Sequence, residues 1–446
     1  MPLNYEDPDG KTIKIALRKH KAEGDKAIGS LFVNPGGPGA SGVAMLDNAN
    51  TTFSQDVRNA YDIIGFDPRG VGKSTPVDCL DDKELGDLLD KSYDFDKPSD
   101  RSQFIDDAER FANGCKEKSG DLLEFVGTEH AARDMDVMRQ LVGDPKINYV
   151  GFSYGTSLGK TYAGLFPKNV GRMILDGAVD TSDPSIQVGY DQVMGFENAL
   201  TNYIQDCVDS GQCVLGGSVD EARQKVRELI DASLASLFPT ENSERPLTQA
   251  QLVTGIIAPL YDDETWPDLT AAFEQLINDN DGSKFQALAD QFTGRDGDSF
   301  PNTYMSNEAF QVITCADEPA SSEDEPSDED LELAEKLDQE AIVLAQSASG
   351  AQADCVAMFP NPKEASEPSD AKGSDTIVVV GTRHDPATPY AWAEKMHESL
   401  DNSVLVTWEG EGHTAYRRAG DCIGKPLDDY LLEGTVPKDG LTCPAG

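Results

Sequence analysis

A serine hydroxyl becomes a nucleophile only when a base removes its proton, a carboxylate orients that base, and N–H donors receive the oxyanion. Residues of all three kinds stand at telling positions in this chain. Ser153 is the centre of Gly151-Phe152-Ser153-Tyr154-Gly155, a G-x-S-x-G pentapeptide. The bare pattern is common in a chain with 40 glycines, so its setting decides. Lys146 to Val150 is a short apolar run that reads as a buried strand, and Thr156 to Phe166 reads as a helix ending before Pro167. Strand, sharp turn and helix hold a serine up at the carboxyl edge of a sheet. Ser153 is the candidate nucleophile.

The base emerges by elimination among five histidines. His20 sits in a charged early segment, His130 opens a helix before the nucleophile strand, and His384 and His397 flank the penultimate helix. His413 lies in Glu409-Gly410-Glu411-Gly412-His413, a glycine-flanked loop after what reads as the final strand. Position and order select His413. The acid should fall between serine and histidine in sequence, directly after a strand. Asp385 does, in Gly381-Thr382-Arg383-His384-Asp385-Pro386; Asp375 precedes the strand and would sit at its wrong edge. The oxyanion donors should be the N–H of Tyr154 and one from the loop after an early strand, where Gly37 is the best candidate with Gly36 beside it.

That loop also offers a rival. Gly37-Pro38-Gly39-Ala40-Ser41-Gly42 is a formal G-x-G-x-x-G after a strand, and Asp67 ends the next strand, the skeleton of a dinucleotide site. Against it, Pro38 stands where an N–H should face phosphate, and the reading leaves Ser153, Asp385 and His413 unexplained.

The elements that must position these residues alternate strand and helix. Lys11–Arg18 alternates with Ile13, Ile15 and Leu17 on one face, and predicts an opening half-buried strand. Strands follow at Ser30–Asn34, Tyr61–Asp67, Lys146–Val150 and Arg172–Asp176; Thr128 is a plausible N-cap for a helix at Ala131–Val142. Residues 79–125 read as polar, without an assigned element. From about Asp183 to Gln346 the pattern turns mainly helical, and the strand–helix rhythm returns with Thr376–Val380, Tyr390–Leu400 and Val404–Trp408. Ser321–Asp330 reads as an acidic loop and Pro360–Ser374 as a connector. The expectation is a doubly wound, mostly parallel α/β sheet in two parts, residues 1–182 and 361–446, with a helical cap at 183–360 between them.

The chain has 446 residues and a net charge of −43, from 80 acidic and 37 basic side chains. A field of that sign repels nucleic acid and anionic membrane surfaces. No apolar stretch approaches the ~20 residues needed to span a bilayer. Eight cysteines occur without a C-x-x-C or a zinc-type spacing, which favours disulfides over metal ligation and an oxidising compartment over buried free thiols. Pairing sequence neighbours is the simplest arrangement: Cys79–Cys115, Cys207–Cys213, Cys315–Cys355 and Cys422–Cys443. Met1 then reads as a start added to a chain whose export leader is gone.

Five stretches together resemble the secreted tripeptidyl-aminopeptidase and prolyl-aminopeptidase relatives of actinobacteria, within the α/β-hydrolase fold. They are Asn34-Pro35-Gly36-Gly37-Pro38-Gly39, Gly65-Phe66-Asp67-Pro68-Arg69-Gly70, Gly151 to Thr156, Asp385-Pro386-Ala387-Thr388-Pro389, and Gly412-His413. The resemblance implies serine hydrolysis without metal or cofactor, with Ser153 as nucleophile, Asp385 as orienting acid and His413 as base. It implies export, a peptide substrate with a free N-terminus, and a cap that restricts access. Relatives with these motifs include esterases, so a carboxylesterase with the same triad is the alternative; a catalytically dead binding protein is a third reading. An exopeptidase must also pair the substrate's α-amine with a carboxylate. Glu308 and Asp317, flanking an apolar segment of the insertion, are the candidates.

Overall fold

The computed structural model describes residues 1–179, 183, 185–317, 328–344, 353–359 and 369–445. Most of the acidic loop and of the connector expected after the insertion lie outside these. The strands are β1 (Leu17–His20), β2 (Gly29–Asn34), β3 (Tyr61–Phe66), β4 (Ile147–Phe152), β5 (Val170–Asp176), β6 (Ile377–His384), β7 (Ser403–Glu411) and β8 (Leu441–Pro444). They join in one sheet of order β1-β3-β2-β4-β5-β6-β7-β8, with β1 antiparallel and every other pair parallel.

The strands read as continuous apolar runs because both faces of the sheet are covered. Leu31, Val33, Ile174, Val378 and Val406 pack on one face with Leu427 and Leu431 of the helix Gly420–Glu433. Phe32, Tyr149, Met173 and Val379 pack on the other with Met135 of the helix Thr128–Val142 and Leu158 and Tyr162 of the helix Tyr154–Leu165. Successive residues thus serve opposite faces, as the pleat requires.

Between β5 and β6 the elements among the described residues are helical, with α-helices at Ser185–Asp209, Val219–Ala235, Gln249–Ile257, Trp266–Asp279, Ser283–Thr293, Asn307–Asp317, Asp328–Glu340 and Ala353–Met358. The first five share a separate apolar core that includes Leu200, Val226, Ile256, Phe273 and Phe285. The architecture is the α/β-hydrolase fold with a helical insertion. Four disulfides pair sequence neighbours, Cys79–Cys115, Cys207–Cys213, Cys315–Cys355 and Cys422–Cys443, at S–S distances from 1.96 to 2.07 Å. Among the described residues no helix is long and apolar enough to cross a membrane, and no cluster of His, Cys, Asp and Glu is arranged to hold a metal.

Three local expectations change. The opening strand starts later, because residues 11–16 bond elsewhere: Ile13 N–H donates to Met1 O at 2.8 Å and Ala16 N–H to the Ser74 hydroxyl at 2.6 Å. Leu17 is exposed, unlike Ile13. The polar stretch 79–125 contains the helices Asp82–Leu89 and Pro98–Ser119, the second burying Asp107 and the narrow apolar stripe Ala108, Phe111, Ala112 and Cys115. β7 is not the final strand, since β8 adds to its outer side and is tied by Cys443 to Cys422.

Candidate active site

β4 ends at Phe152 and the next helix begins at Tyr154, so the chain reverses on Ser153 alone. Ser153 has φ 54° and ψ −127°, outside the regions that residues with a Cβ favour. The turn is held by Ser153 N–H donating to Asp176 O at 2.9 Å and Thr156 N–H donating to Ser153 O at 2.8 Å. A Cβ on Gly151 would lie 2.3 Å from the Gly155 carbonyl oxygen, and one on Gly155 would lie 2.9 Å from that of Asn34. Close backbone approach therefore explains both glycines of the pentapeptide.

Two loops at the same carboxyl edge bring up the other candidates. Asp385 follows β6, and its side chain is fully enclosed. Its Oδ1 accepts from the N–H groups of Ala387 (3.0 Å) and Thr388 (2.8 Å), and its Oδ2 from Thr414 N–H (3.2 Å). Those donors aim the carboxylate at His413 Nδ1, which lies 2.9 Å from both oxygens. His413 Nε2 is buried and has no hydrogen-bond partner among the described residues. The imidazole packs beside the end of β5: a Cβ on Gly177 would sit 3.1 Å from His413 Cε1.

The loop after β2 lies against the turn at Ser153. Gly36 has φ 100°, and a Cβ there would stand 2.5 Å from Phe152 O, 2.8 Å from Ser153 Cβ and 3.2 Å from Tyr154 N. The Gly36 N–H donates to Asn34 Oδ1 at 2.9 Å. No hydrogen bond among the described residues takes the Gly37 N–H. Tyr154 N–H opens a helix and so lacks an intrahelical acceptor. Of the two glycines considered for the oxyanion hole, Gly37 is the one with its donor open.

Other residues marked in the sequence hold structure. Asp67, needed by a dinucleotide reading, is buried; its carboxylate accepts from the Ser41 hydroxyl at 2.6 Å and from Val43 and Lys73 N–H. Arg69 is fully buried and makes a two-bond pair with Asp134. Glu308 accepts from the N–H groups of Cys79 (3.1 Å) and Leu80 (2.8 Å), and Asp317 accepts from Thr128 N–H at 2.7 Å and the Thr128 hydroxyl at 2.5 Å. Both amine-pocket candidates thus already hold core donors. Thr128 is the first residue of its helix and not the N-cap; Asp317 bonds its N–H from across the chain. His20 lies near Glu23, and His397 contacts Ser403.

Contacts from the insertion were not legible beforehand. The Tyr261 carbonyl accepts from His413 N–H at 2.8 Å, and its ring stands edge-on to the imidazole at 5.4 Å. Gln192 donates to Ala387 O at 2.8 Å on the acid loop. Ser41 N–H donates to Tyr304 O, and Ser306 N–H to Gly39 O, on the glycine loop. Helical periodicity reveals an insertion but not which of its turns touch the sheet edge.

A family profile described as "TAP-like protein" matches residues 340–443. Serine protease Hip1 of Mycobacterium tuberculosis is 34% identical over 454 residues, covering 99% of this chain and 86% of that protein. Carboxylesterase B of the same species is also 34% identical, covering 99% and 85%. Tripeptidyl aminopeptidase of Streptomyces lividans is 29% identical over 458 residues, covering 99% and 82%. The protein is a serine hydrolase of the α/β-hydrolase fold, and with relatives this similar along its whole length the chain belongs to the TAP-like family.

Proposed function

We propose that this serine hydrolase is an exported aminopeptidase that releases short N-terminal peptides or residues through an acyl-enzyme. Residues 183–360 form its cap, between core parts 1–182 and 361–446. One observation carries the chemistry: a serine held at φ 54° shares a sheet edge with an imidazole whose Nδ1 is fixed by a buried carboxylate and whose Nε2 is unpartnered. In this reading Ser153 Oγ attacks the scissile carbonyl and its proton passes to His413 Nε2. Asp385 holds Nδ1–H and stabilises the imidazolium. The N–H groups of Gly37 and Tyr154 receive the oxyanion. The C–N bond breaks as Nε2 returns the proton to the leaving amine, and water then releases the acyl group by the same steps. Peptide as substrate is supported by two relatives named as a serine protease and a tripeptidyl aminopeptidase. The four disulfides support an oxidising, extracellular or cell-envelope setting. A carboxylesterase with the same triad is the second reading, favoured by the relative of that name.

The test is a time course on an unblocked peptide, read by mass spectrometry, beside its N-acetylated form and a short acyl ester. Fragments should leave the free N-terminus, and acetylation should slow cleavage strongly. Equal rates on blocked and free peptides, with faster ester turnover, would select the esterase. Ser153→Ala should lower kcat by about 10⁴-fold or more with the fold intact, because triad members act as a unit. Activity within a few-fold of wild type would end the triad reading.

A further inference from the structure

Asp176 is a fully buried carboxylate at the end of β5 that the mechanism above does not use. Its carbonyl oxygen accepts from Ser153 N–H at 2.9 Å. Its side chain accepts from Ala415 N–H (3.0 and 3.1 Å to the two oxygens) and from Tyr416 N–H (2.8 Å). One residue therefore grips the nucleophile turn with its backbone and the segment just after His413 with its carboxylate. The neighbouring Gly177, at φ 71°, leaves the space into which the imidazole fits. We infer that Asp176 is a positioning residue for the serine hydrolase reaction, fixing His413 over Ser153 and supplying a second buried negative charge beside the imidazolium. The inference rests on His413 being the base.

A buried carboxylate is a costly way to hold two amides, since a neutral acceptor could do it without the charge. Burial raises Asp176 to about 6, opposed by the two N–H donors and by the nearby His413. The titratable groups that act on it are His413 and Tyr416 on the loop after β7 and Asp385 on the loop after β6. Of these, only His413 gains positive charge in the reaction. The ionised carboxylate favours the imidazolium as Ser153 loses its proton, and Asp385, from the loop after β6, and Asp176, from the end of β5, act on that charge together. A buried carboxyl raised in this way beside the imidazole of a reaction site is a candidate for a functional role.

The experiment measures kcat, KM and the pH profile of Asp176→Asn on an unblocked peptide anilide, with thermal melting to verify folding. Asparagine keeps the size and one acceptor oxygen but removes the charge. The expected result is a kcat lower by roughly 10- to 100-fold with KM changed by less than about threefold. The acid limb of kcat/KM should also move to lower pH, because loss of a neighbouring negative charge disfavours the imidazolium. Wild-type kcat overturns the inference. So does a lower kcat with an unmoved acid limb, which would make Asp176 a loop anchor only. If the asparagine variant does not fold, Asp176→Glu keeps the charge but displaces the oxygens by one methylene. It should lower kcat while leaving the acid limb in place, and full activity overturns the inference. Ser153→Ala runs alongside: if it is active the triad itself fails, whereas a dead Ser153→Ala with an unimpaired Asp176→Asn removes this inference alone.

Discussion

Tyr154 follows the candidate nucleophile and carries one of the proposed oxyanion N–H groups, and its side chain ends in a relay. Its hydroxyl donates to Thr128 Oγ1, which donates in turn to Asp317. Asp317 is partly exposed as a residue, but its carboxyl is enclosed against Gly127 and Thr128. Burial raises it from 3.8 to about 6, and the Thr128 donors only partly offset this. A carboxyl whose folded pKa is raised binds its proton more tightly folded than unfolded. Its contribution to stability is fully present below the unfolded value and is lost as pH rises through about 6. Asp317→Asn keeps an acceptor for Thr128 and removes the titration. Relative to wild type, the variant should therefore gain on the order of 1–2 kcal/mol between pH 4 and pH 8, discounted for the residue's partial exposure. Urea unfolding at the two pH values measures the gap; a gap independent of pH would mean the carboxyl is solvated in the native state.

The glycine loop after β2 shows how one element depends on others. Gly36 touches the backbone on both sides of Ser153, and its N–H is pinned by Asn34. The insertion pins the far end of the loop through Tyr304 and Ser306. Gly36→Ala would set a Cβ at positive φ within 2.5 Å of Phe152 O, so the loop must withdraw from the turn and carry the Gly37 N–H with it. Losing one oxyanion donor costs about 10²–10³-fold in kcat, so the variant should fall in that range with KM little changed. An unimpaired variant would remove Gly37 from the oxyanion hole. Much of this arrangement was readable beforehand. Parallel strands buried on two faces leave unbroken apolar runs, which made β2 to β7 visible, and close backbone packing leaves glycines beside the serine. What escaped was set by contacts distant in sequence. Helix Pro98–Ser119 buries too narrow a stripe to stand out among polar residues. Leu17 keeps the alternation of a buried face but points outward because the preceding residues bond to the N-terminus and to Ser74. Asp176 looks like any acid at a strand end until the loop after His413 folds onto it. Glu308 and Asp317 flank an apolar helix as an amine pocket would, yet each bonds core backbone amides.

At the scale of the whole molecule, charge is the dominant feature: 80 acidic against 37 basic side chains. Two salt effects oppose each other. Exposed pairs such as Lys83–Asp87 and Arg383–Glu409 are weakened by added ions, but each contributes about 1 kcal/mol or less. Self-repulsion of the excess charge destabilises the compact state, and ions screen that too. The numbers decide between them. Even if every basic side chain were paired, a net charge of −43 would remain without partners. Repulsion therefore outweighs pairing, and stability should rise with ionic strength. Between about 10 mM and 1 M sodium chloride the Debye length shrinks from about 30 Å to about 3 Å, which removes nearly all interaction between exposed charges. Thermal melting at pH 8 should accordingly climb by several degrees across that range. Sodium chloride is the salt to use, because sulfate would strengthen apolar burial independently of charge. At pH 4, where roughly half of the carboxylates are protonated, part of the repulsion is already gone and the climb should be smaller. A melting temperature that falls with salt at pH 8 would mean that the ion pairs, Arg69–Asp134 and the Asp290–Arg245–Asp90–Arg295 network among them, outweigh the unpaired charge.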